Sequence, residues 1–148
     1  MSLLAKLNLP PVWLIGFIGL AWVIAKAWAP LGAGFAWAGW GLIGAALILF
    51  AWAVIQFRRA GTTIVPGEAP SALVEGGPFR LSRNPIYLAD LLILAGIALI
   101  LGAPLALLLI VPFQQVLVRL FILPEETILE RDLRAPYLAY KARVRRWL

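Results

Sequence analysis

Long apolar blocks with few or no charges alternate with polar segments along this chain, and their lengths predict membrane-spanning helices. The first block lies within residues 7–28 and the second within residues 31–57. Each is long enough to cross about 30 Å of hydrocarbon as a helix. Residues 58–85 are polar and rich in glycine and proline, whereas residues 86–123 are again apolar. Residues 124–148 form a charged tail.

The third apolar block is too long for one span and is predicted to form a helical hairpin. Gly102-Ala103-Pro104 lies near its middle, and glycine followed closely by proline is typical of a turn between helices. The two helices are therefore expected at residues 86–102 and 104–123. In the tail, Pro136 is expected to separate two short helices. The second of these carries a stripe that suits either a membrane surface or the protein's own core, formed by Tyr137, Tyr140, Lys141 and Val144.

The resulting prediction is an all-α integral membrane protein that forms a single membrane domain. It has about four transmembrane helices: 7–28, 31–57, and the hairpin helices 86–102 and 104–123. The polar segment 58–85 and a helical tail, 124–148, are expected on the cytosolic side.

Composition supports a membrane protein and excludes several kinds of chemistry. Of the 148 residues, 63% are hydrophobic and 14% are charged, whereas a soluble domain carries about 25% charged residues. The chain has no histidine and no cysteine. Thiolate metal sites, cysteine nucleophiles and Ser-His-Asp catalysis are therefore excluded, and no metal site is predicted.

The net charge of +6 is interpreted as a signal of orientation in the membrane rather than of nucleic-acid binding, so no nucleic-acid partner is expected. Nearly all basic residues lie on one side if both termini are cytoplasmic, and the loops at residues 29–31 and 102–104 carry no charge. Lys26 is the exception, and a lysine at a helix end can reach either interface. The predicted location is the inner (plasma) membrane of a bacterium, with both termini in the cytoplasm.

Gly39-Trp40-Gly41-Leu42-Ile43-Gly44 matches the G-x-G-x-x-G pattern of dinucleotide-binding proteins. That fingerprint requires a strand before it and a helix that begins at it. Here the pattern lies in the middle of an apolar span. Small residues that allow two helices to approach closely explain it better.

Polar residues at the ends of the hairpin are the candidates for chemistry. Pro85 fits the first turn of the third span and Asn84 its N-cap, while Tyr87 and Asp90 share one helix face. Pro124-Glu125-Glu126 is expected to open the tail helix, where acidic residues favour the helix dipole. Capping and lipid anchoring would be a purely structural explanation of these residues.

Asp90 and Arg119 lie at similar distances along the chain from the hairpin turn. An antiparallel hairpin would place them at nearly the same depth. Because an unpaired charge at that depth is unfavourable, an ion pair between them is expected. Its role would be either structural or in ligand binding.

These segments together resemble the superfamily of integral membrane methyltransferases that contains the isoprenylcysteine carboxyl methyltransferases and the phospholipid methyltransferases. The resemblance covers about residues 71–148. It rests on the segments Leu73–Arg80 and Arg83–Tyr87, on Glu125-Glu126, and on Tyr137, Tyr140 and Arg143-Val144 in the tail.

The resemblance implies a pocket for S-adenosylmethionine near the start of the third span. The residues that it implies for cofactor binding are Leu73, Val74, Phe79, Asn84, Pro85, Ile86, Tyr87, Glu125 and Glu126. Catalytic roles are implied for Arg83 and Arg119, with Arg119 on the acceptor side. Asn84 replaces the histidine of many relatives and cannot carry a proton. The usual Phe-Gly before the tyrosines is replaced by Leu133-Arg134-Ala135-Pro136.

The predicted function is methyl transfer from S-adenosylmethionine to a lipophilic small molecule or lipid at the cytosolic membrane face. Such a displacement depends on positioning and electrostatics and needs no metal. The acceptor would be an isoprenylated carboxylate, oriented by Arg119, or a lipid amine, whose proton a glutamate, Asp90 or water must take. The alternative is a non-enzymatic four-helix scaffold or assembly protein in contact with membrane lipids, which binding of S-adenosylmethionine would distinguish.

Overall fold

The computed structural model describes residues 9–27, 35–65 and 70–148, and the regular elements in these residues are helical. Helix α1 spans Pro10–Ala27 and α2 spans Ala36–Ala60. A 3₁₀ turn at Gly77–Arg80 precedes α3, Pro85–Ile100. The remaining elements are a 3₁₀ helix at Pro104–Leu109, α4 at Ile110–Leu117, a π-helical turn at Val118–Ile122 and α5 at Leu123–Arg143.

The lengths and surfaces of the helices suit a membrane. Helices α1 and α2 and the continuous helical path Pro104–Arg143 are long and apolar enough to cross a bilayer, while α3 is apolar but shorter. The outer faces of α1 and α2 expose large hydrophobic side chains, among them Trp37 at 77% and Ile48 at 70%. Exposed apolar surface of this extent marks contact with lipid or protein. The predicted all-α membrane fold is confirmed, with three to four helices that could span.

The hairpin between the third and fourth spans forms where the sequence predicts it. Gly102 has a φ of +65°, a left-handed conformation that glycine adopts without strain. The N–H of Ala103 donates to the carbonyl of Ala98 and closes the end of α3. The second arm begins as a 3₁₀ helix and becomes α-helical only at Ile110. Pro112 then lies in the first turn of α4, where its missing N–H is tolerated.

Two hydrophobic clusters hold the helices together. In the first, Leu14 and Ala21 of α1 pack with Leu94 of α3 and with Phe113 and Leu117 of α4. The second surrounds Phe79 and joins α2 to the tail through Ala53, Tyr137 and Tyr140. The tail stripe therefore packs in the protein's own core rather than on a membrane surface.

Helices α2 and α3 approach closely at a pair of glycines. A Cβ atom added to Gly39 would lie 2.5 Å from the carbonyl oxygen of Gly96, and one added to Gly96 would lie 2.7 Å from that of Gly39. The packing interpretation of the glycine pattern is confirmed for Gly39. A Cβ atom added to Gly41 or to Gly44 would meet open space, so a close approach of helices does not explain these two glycines.

The tail helix differs from the prediction at both of its expected boundaries. Pro124-Glu125-Glu126 does not open a new helix, because α5 continues from the π-helical turn, in which the Leu123 N–H donates to the Val118 carbonyl. A wider turn of this kind accommodates a proline that has no N–H of its own. The break in the tail lies at Arg134, whose φ is 43°, two residues before Pro136.

Candidate functional site

A cavity of about 600 Å³ lies where the polar segment, the start of α3 and the start of α5 meet. Its volume is typical of a site for a small molecule. The first residues of α1 and the aromatic side chains Phe50 and Phe57 of α2 extend its apolar wall. Ten of the eleven site residues named from the sequence line it: Leu73, Val74, Phe79, Arg83, Asn84, Pro85, Ile86, Tyr87, Glu125 and Glu126.

The glycines of the polar segment allow it to lie directly against α2. Gly77 has a φ of +58°, and a Cβ atom there would lie 2.7 Å from Nε1 of Trp52. The segment continues into Phe79, whose ring packs edge-on against Phe57 at 5.4 Å between centroids. The close approach fixes the wall of the cavity, because any larger side chain at Gly77 would displace the segment from α2.

Helix α3 begins at the cavity with the expected N-cap residue, but that residue does not cap the helix through its side chain. Pro85 occupies the first turn as predicted, and Asn84 occupies the N-cap position without a capping hydrogen bond from its side chain. Asn84 Nδ2 instead donates to the carbonyl of Arg146 at 3.0 Å. The side chain that was expected to cap α3 therefore holds the end of the chain.

Glu125 faces the cavity and bonds to Tyr87. The Tyr87 hydroxyl donates to Glu125 Oε1 at 2.6 Å. Burial raises the pKa of the Glu125 carboxyl to about 7, with the charge of Glu126 acting in the same direction and the bond from Tyr87 opposing it. Glu125 thus stands near its titration point at neutral pH.

Glu126 is buried between two arginines. Arg83 Nη2 lies 2.8 Å from Glu126 Oε1, and Arg146 Nη2 lies 2.8 Å from Glu126 Oε2. Burial alone would raise the pKa of Glu126, but the hydrogen bonds and charges of Arg146 and Arg83 outweigh burial and hold it below its usual value. Glu126 is therefore an ionised partner of two cations, whereas no cation among the described residues forms an ion pair with Glu125.

Arg83 uses its guanidinium to join three parts of the site. In addition to the bond from its Nη2 to Glu126, Arg83 donates from Nη1 to the carbonyls of Lys141 and Val144, at 3.1 Å each. Its Nε is buried and has no hydrogen-bond partner within the described ranges. The side chain is only 9% exposed, and the residue lines the cavity. Arg83 thus carries one N–H donor that the described protein groups leave unsatisfied.

Arg119 does not reach this site. Its side chain is exposed and it does not line the cavity, whereas Asp90 does. The predicted ion pair between Asp90 and Arg119 is wrong for the part of the chain that the structure describes. Equal distance from the hairpin turn determines how deep two residues lie along their helices, but not which way their side chains point around the helix axis. Arg119 lies in the π-helical turn, which rotates its side chain away from the direction that a regular α-helix would give it.

The residues that close the site from the end of the chain are not among those predicted from the sequence. Ser82 Oγ donates to the carbonyl of Arg146 at 3.2 Å, and Arg146 pairs with Glu126. Arg146 belongs to a basic run that is typical of lipid-facing charges. No helical spacing rule links it to a glutamate 20 residues earlier, because the kink at Arg134 and the end of α5 lie between them.

Comparison with known proteins identifies one family. The family model of the phospholipid methyltransferases matches residues 35–135, which is more than half of the chain. The match begins at α2, further upstream than the resemblance in residues 71–148 indicated, and it ends just before Pro136. No curated protein and no solved structure matches the chain.

Proposed function

Because this chain belongs to the phospholipid methyltransferase family, we propose that it transfers a methyl group from S-adenosylmethionine to the amine of a lipid inside the cavity. One observation carries the proposal. The polar residues named from the sequence line one apolar cavity together with Asp90. Among the described residues that line it, the charged groups without an ion-pair partner are the carboxylates of Asp90 and Glu125.

The residues of the cavity fit S-adenosylmethionine. Leu73, Val74 and Phe79 provide an apolar wall suited to an adenine ring. The buried Nε of Arg83, which has no protein partner among the described residues, can donate to the carboxylate of the cofactor. Glu125 can accept hydrogen bonds from its hydroxyl or ammonium groups. Each polar part of the cofactor would then have a partner of the right type.

The charges of the cavity favour an amine over a carboxylate as the acceptor. A carboxylate acceptor would need a cation of its own. Arg83 is paired with Glu126 and its remaining donor is assigned to the cofactor, while Arg119 lies outside the cavity. Asp90 lines the cavity one helical turn after Tyr87, and within the described ranges its side chain forms no hydrogen bond or ion pair. A protonated lipid amine would neutralise this half-buried carboxylate, whereas a second carboxylate would be repelled.

Asp90 would orient the amine and take its proton. S-adenosylmethionine would supply a methyl group on a positively charged sulfur, and the bond from sulfur to that carbon breaks with both electrons left on sulfur. After Asp90 accepts a proton from the ammonium, the nitrogen lone pair is free to form the new bond to the methyl carbon. The methylated amine leaves and Asp90 releases its proton to water. The protein contributes position and charge.

The lipid tails would lie along the apolar part of the wall. Pro10 and Pro11 at the start of α1 and Phe50 of α2 line the cavity together with the polar residues. Phe50 is 44% exposed, so this part of the wall continues onto the outer face of α2. A headgroup could thus lie beside Asp90 while its chains remain in an apolar environment.

The proposal is tested by binding first and by transfer second. Purified protein in nanodiscs should bind S-adenosylhomocysteine in calorimetry. With methyl-labelled S-adenosylmethionine it should label a phospholipid with a primary-amine headgroup and not an isoprenylated carboxylate. Asp90→Asn should retain binding and lose transfer, while Asp132→Asn, on the exposed face of α5, should retain both. Binding without transfer to either acceptor, or no binding at all, would favour a scaffold over an enzyme.

A further inference from the structure

The last residues of the chain fold back onto the three residues that precede α3. The Arg83 backbone N–H donates to the Arg145 carbonyl at 2.9 Å. The side chains of Ser82 and Asn84 both donate to the Arg146 carbonyl. Trp147 packs against the first hydrophobic cluster. Residues 144–147, here named the C-terminal latch, are therefore docked by both polar and apolar contacts.

The latch also completes the charge balance of the site. Arg146 holds Glu126 with two bonds, Nε to Oε1 at 3.0 Å and Nη2 to Oε2 at 2.8 Å. Arg83 reaches only Oε1. Without Arg146, Oε2 of a carboxylate that is only 8% exposed would lose its partner, and a buried unpaired oxygen is unfavourable.

The carboxylate that loses its partner would compete for other donors of the site. The candidates are the guanidinium of Arg83, whose Nε has no partner in the described part of the chain, and water that enters the cavity. Both responses would move Arg83, and with it the carbonyls of Lys141 and Val144 that Arg83 holds. The position of Arg83, which lines the cavity, thus depends on the side chain at 146.

We propose that Arg146 is a positioning residue and that the C-terminal latch sets the affinity of the cavity for its cofactor. By occupying both oxygens of Glu126, Arg146 leaves Arg83 Nε without a partner among the described residues and leaves Glu125 as the carboxylate of the pair that is open to the ligand. The latch lies beyond the residues that match the family, 35–135. The inference rests on the proposed function for the identity of the ligand.

The experiment compares Arg146→Ala with Arg145→Ala by calorimetry with S-adenosylhomocysteine in nanodiscs. The Arg145 side chain makes no hydrogen bond or ion pair in the part of the chain that the structure describes, while its carbonyl, which the latch uses, survives substitution. Arg146→Ala should weaken binding about ten-fold, as expected for the loss of a charge-assisted bond. Arg145→Ala should bind like the wild type, and Arg146→Lys should recover part of the affinity.

The stoichiometry of binding distinguishes positioning from mere folding. If Arg146 were needed only for folding, Arg146→Ala would lower the fraction of protein that binds and leave the affinity of the folded molecules unchanged. Arg146→Lys would then recover no affinity. That result, or equal affinities for the two alanine variants, would overturn the proposal.

Hydrogen exchange without ligand separates this inference from the proposed function. Amides of residues 83–88 should exchange faster in Arg146→Ala than in Arg145→Ala, because the latch protects the start of α3. If the wild type binds no cofactor, the proposed function fails and the latch is judged on exchange alone. Equal exchange in the two variants would then refute the latch as well.

Discussion

Glu125 and Glu126 are consecutive in the chain, yet their carboxylates have different surroundings. Two arginines hold Glu126 ionised, with its pKa below the usual value. Burial raises the pKa of Glu125 to about 7, and its bonded partner is the neutral hydroxyl of Tyr87. Environments that separate the pKa values of neighbouring acids commonly give them different roles. Glu126 suits a structural role and Glu125 suits contact with a ligand.

Glu125→Gln tests this assignment through the pH dependence of binding. Below pH 7 the Glu125 carboxyl is protonated and is a poorer acceptor, so wild-type affinity for S-adenosylhomocysteine should rise as pH increases through about 7. The glutamine variant should bind roughly ten-fold more weakly at pH 8. It should also lose the change in affinity near pH 7, as measured by calorimetry between pH 6 and 8.

The matched control is Asp132→Asn, which removes a carboxylate from the same helix outside the cavity. Its pH profile should follow that of the wild type. A Glu125→Gln variant that kept the wild-type profile would assign the titration to another group and remove Glu125 from the ligand contacts.

At the level of elements, the contact between α2 and α3 depends on the absence of a side chain at Gly39. A methyl group there would meet the backbone oxygen of Gly96 at 2.5 Å, and backbone cannot rotate away. Gly39→Ala should therefore destabilise the protein by about 1–3 kcal/mol, the usual cost of overpacking. Thermal unfolding in detergent, followed by tryptophan fluorescence, measures the effect.

Gly41→Ala is the control on the same helix, because its added methyl group meets open space. It should leave the unfolding temperature unchanged or raise it, since alanine is the better helix former. Equal destabilisation by both substitutions would mean that the close approach of α2 and α3 does not limit stability.

At the kink in α5, a substitution to glycine is expected to stabilise the protein. Arg134 has a φ of 43° and its side chain is exposed. A left-handed conformation of this kind in a residue other than glycine costs about 1–3 kcal/mol. Arg134→Gly should therefore raise the unfolding temperature. Arg131→Gly, in a regular turn of the same helix, should lower the unfolding temperature, because glycine there reduces the free energy of unfolding by about 1 kcal/mol. A lower unfolding temperature for both variants would contradict strain at the kink.

The same elements explain what the sequence could and could not predict. The hairpin turn at Gly102 and the start of α3 at Pro85 were predictable because each depends on a few neighbouring residues. The resemblance placed ten site residues that now lie at one cavity. The face of Arg119 was not predictable, because a local π-helical turn sets it. The partner of Asn84 lies 62 residues away, beyond a kink that no propensity specifies.

At the scale of the whole molecule, the polar contacts concentrate at one end of the helices. Arg58 and Arg59 lie in the last turn of α2. Arg83 and Arg146 lie near the start of α3, where both bond to Glu126. The hairpin turn at the other end of α3 carries no charge. Such asymmetry favours placement of the basic end in the cytoplasm. The cofactor would then enter the cavity from the cytosol and the lipid from the bilayer.

Single-cysteine labelling tests this orientation without background, because the chain has no native cysteine. Leu81 beside the cavity is 65% exposed and Leu105 beside the hairpin turn is 41% exposed. With a membrane-impermeant thiol reagent on intact cells, Leu105→Cys should react and Leu81→Cys should not; inverted vesicles should reverse this pattern. The orientation sets the source of the cofactor, since S-adenosylmethionine in the cytosol can reach only a cavity that opens there. Reaction of Leu81→Cys in intact cells would place the cavity on the outer side and remove the proposed donor.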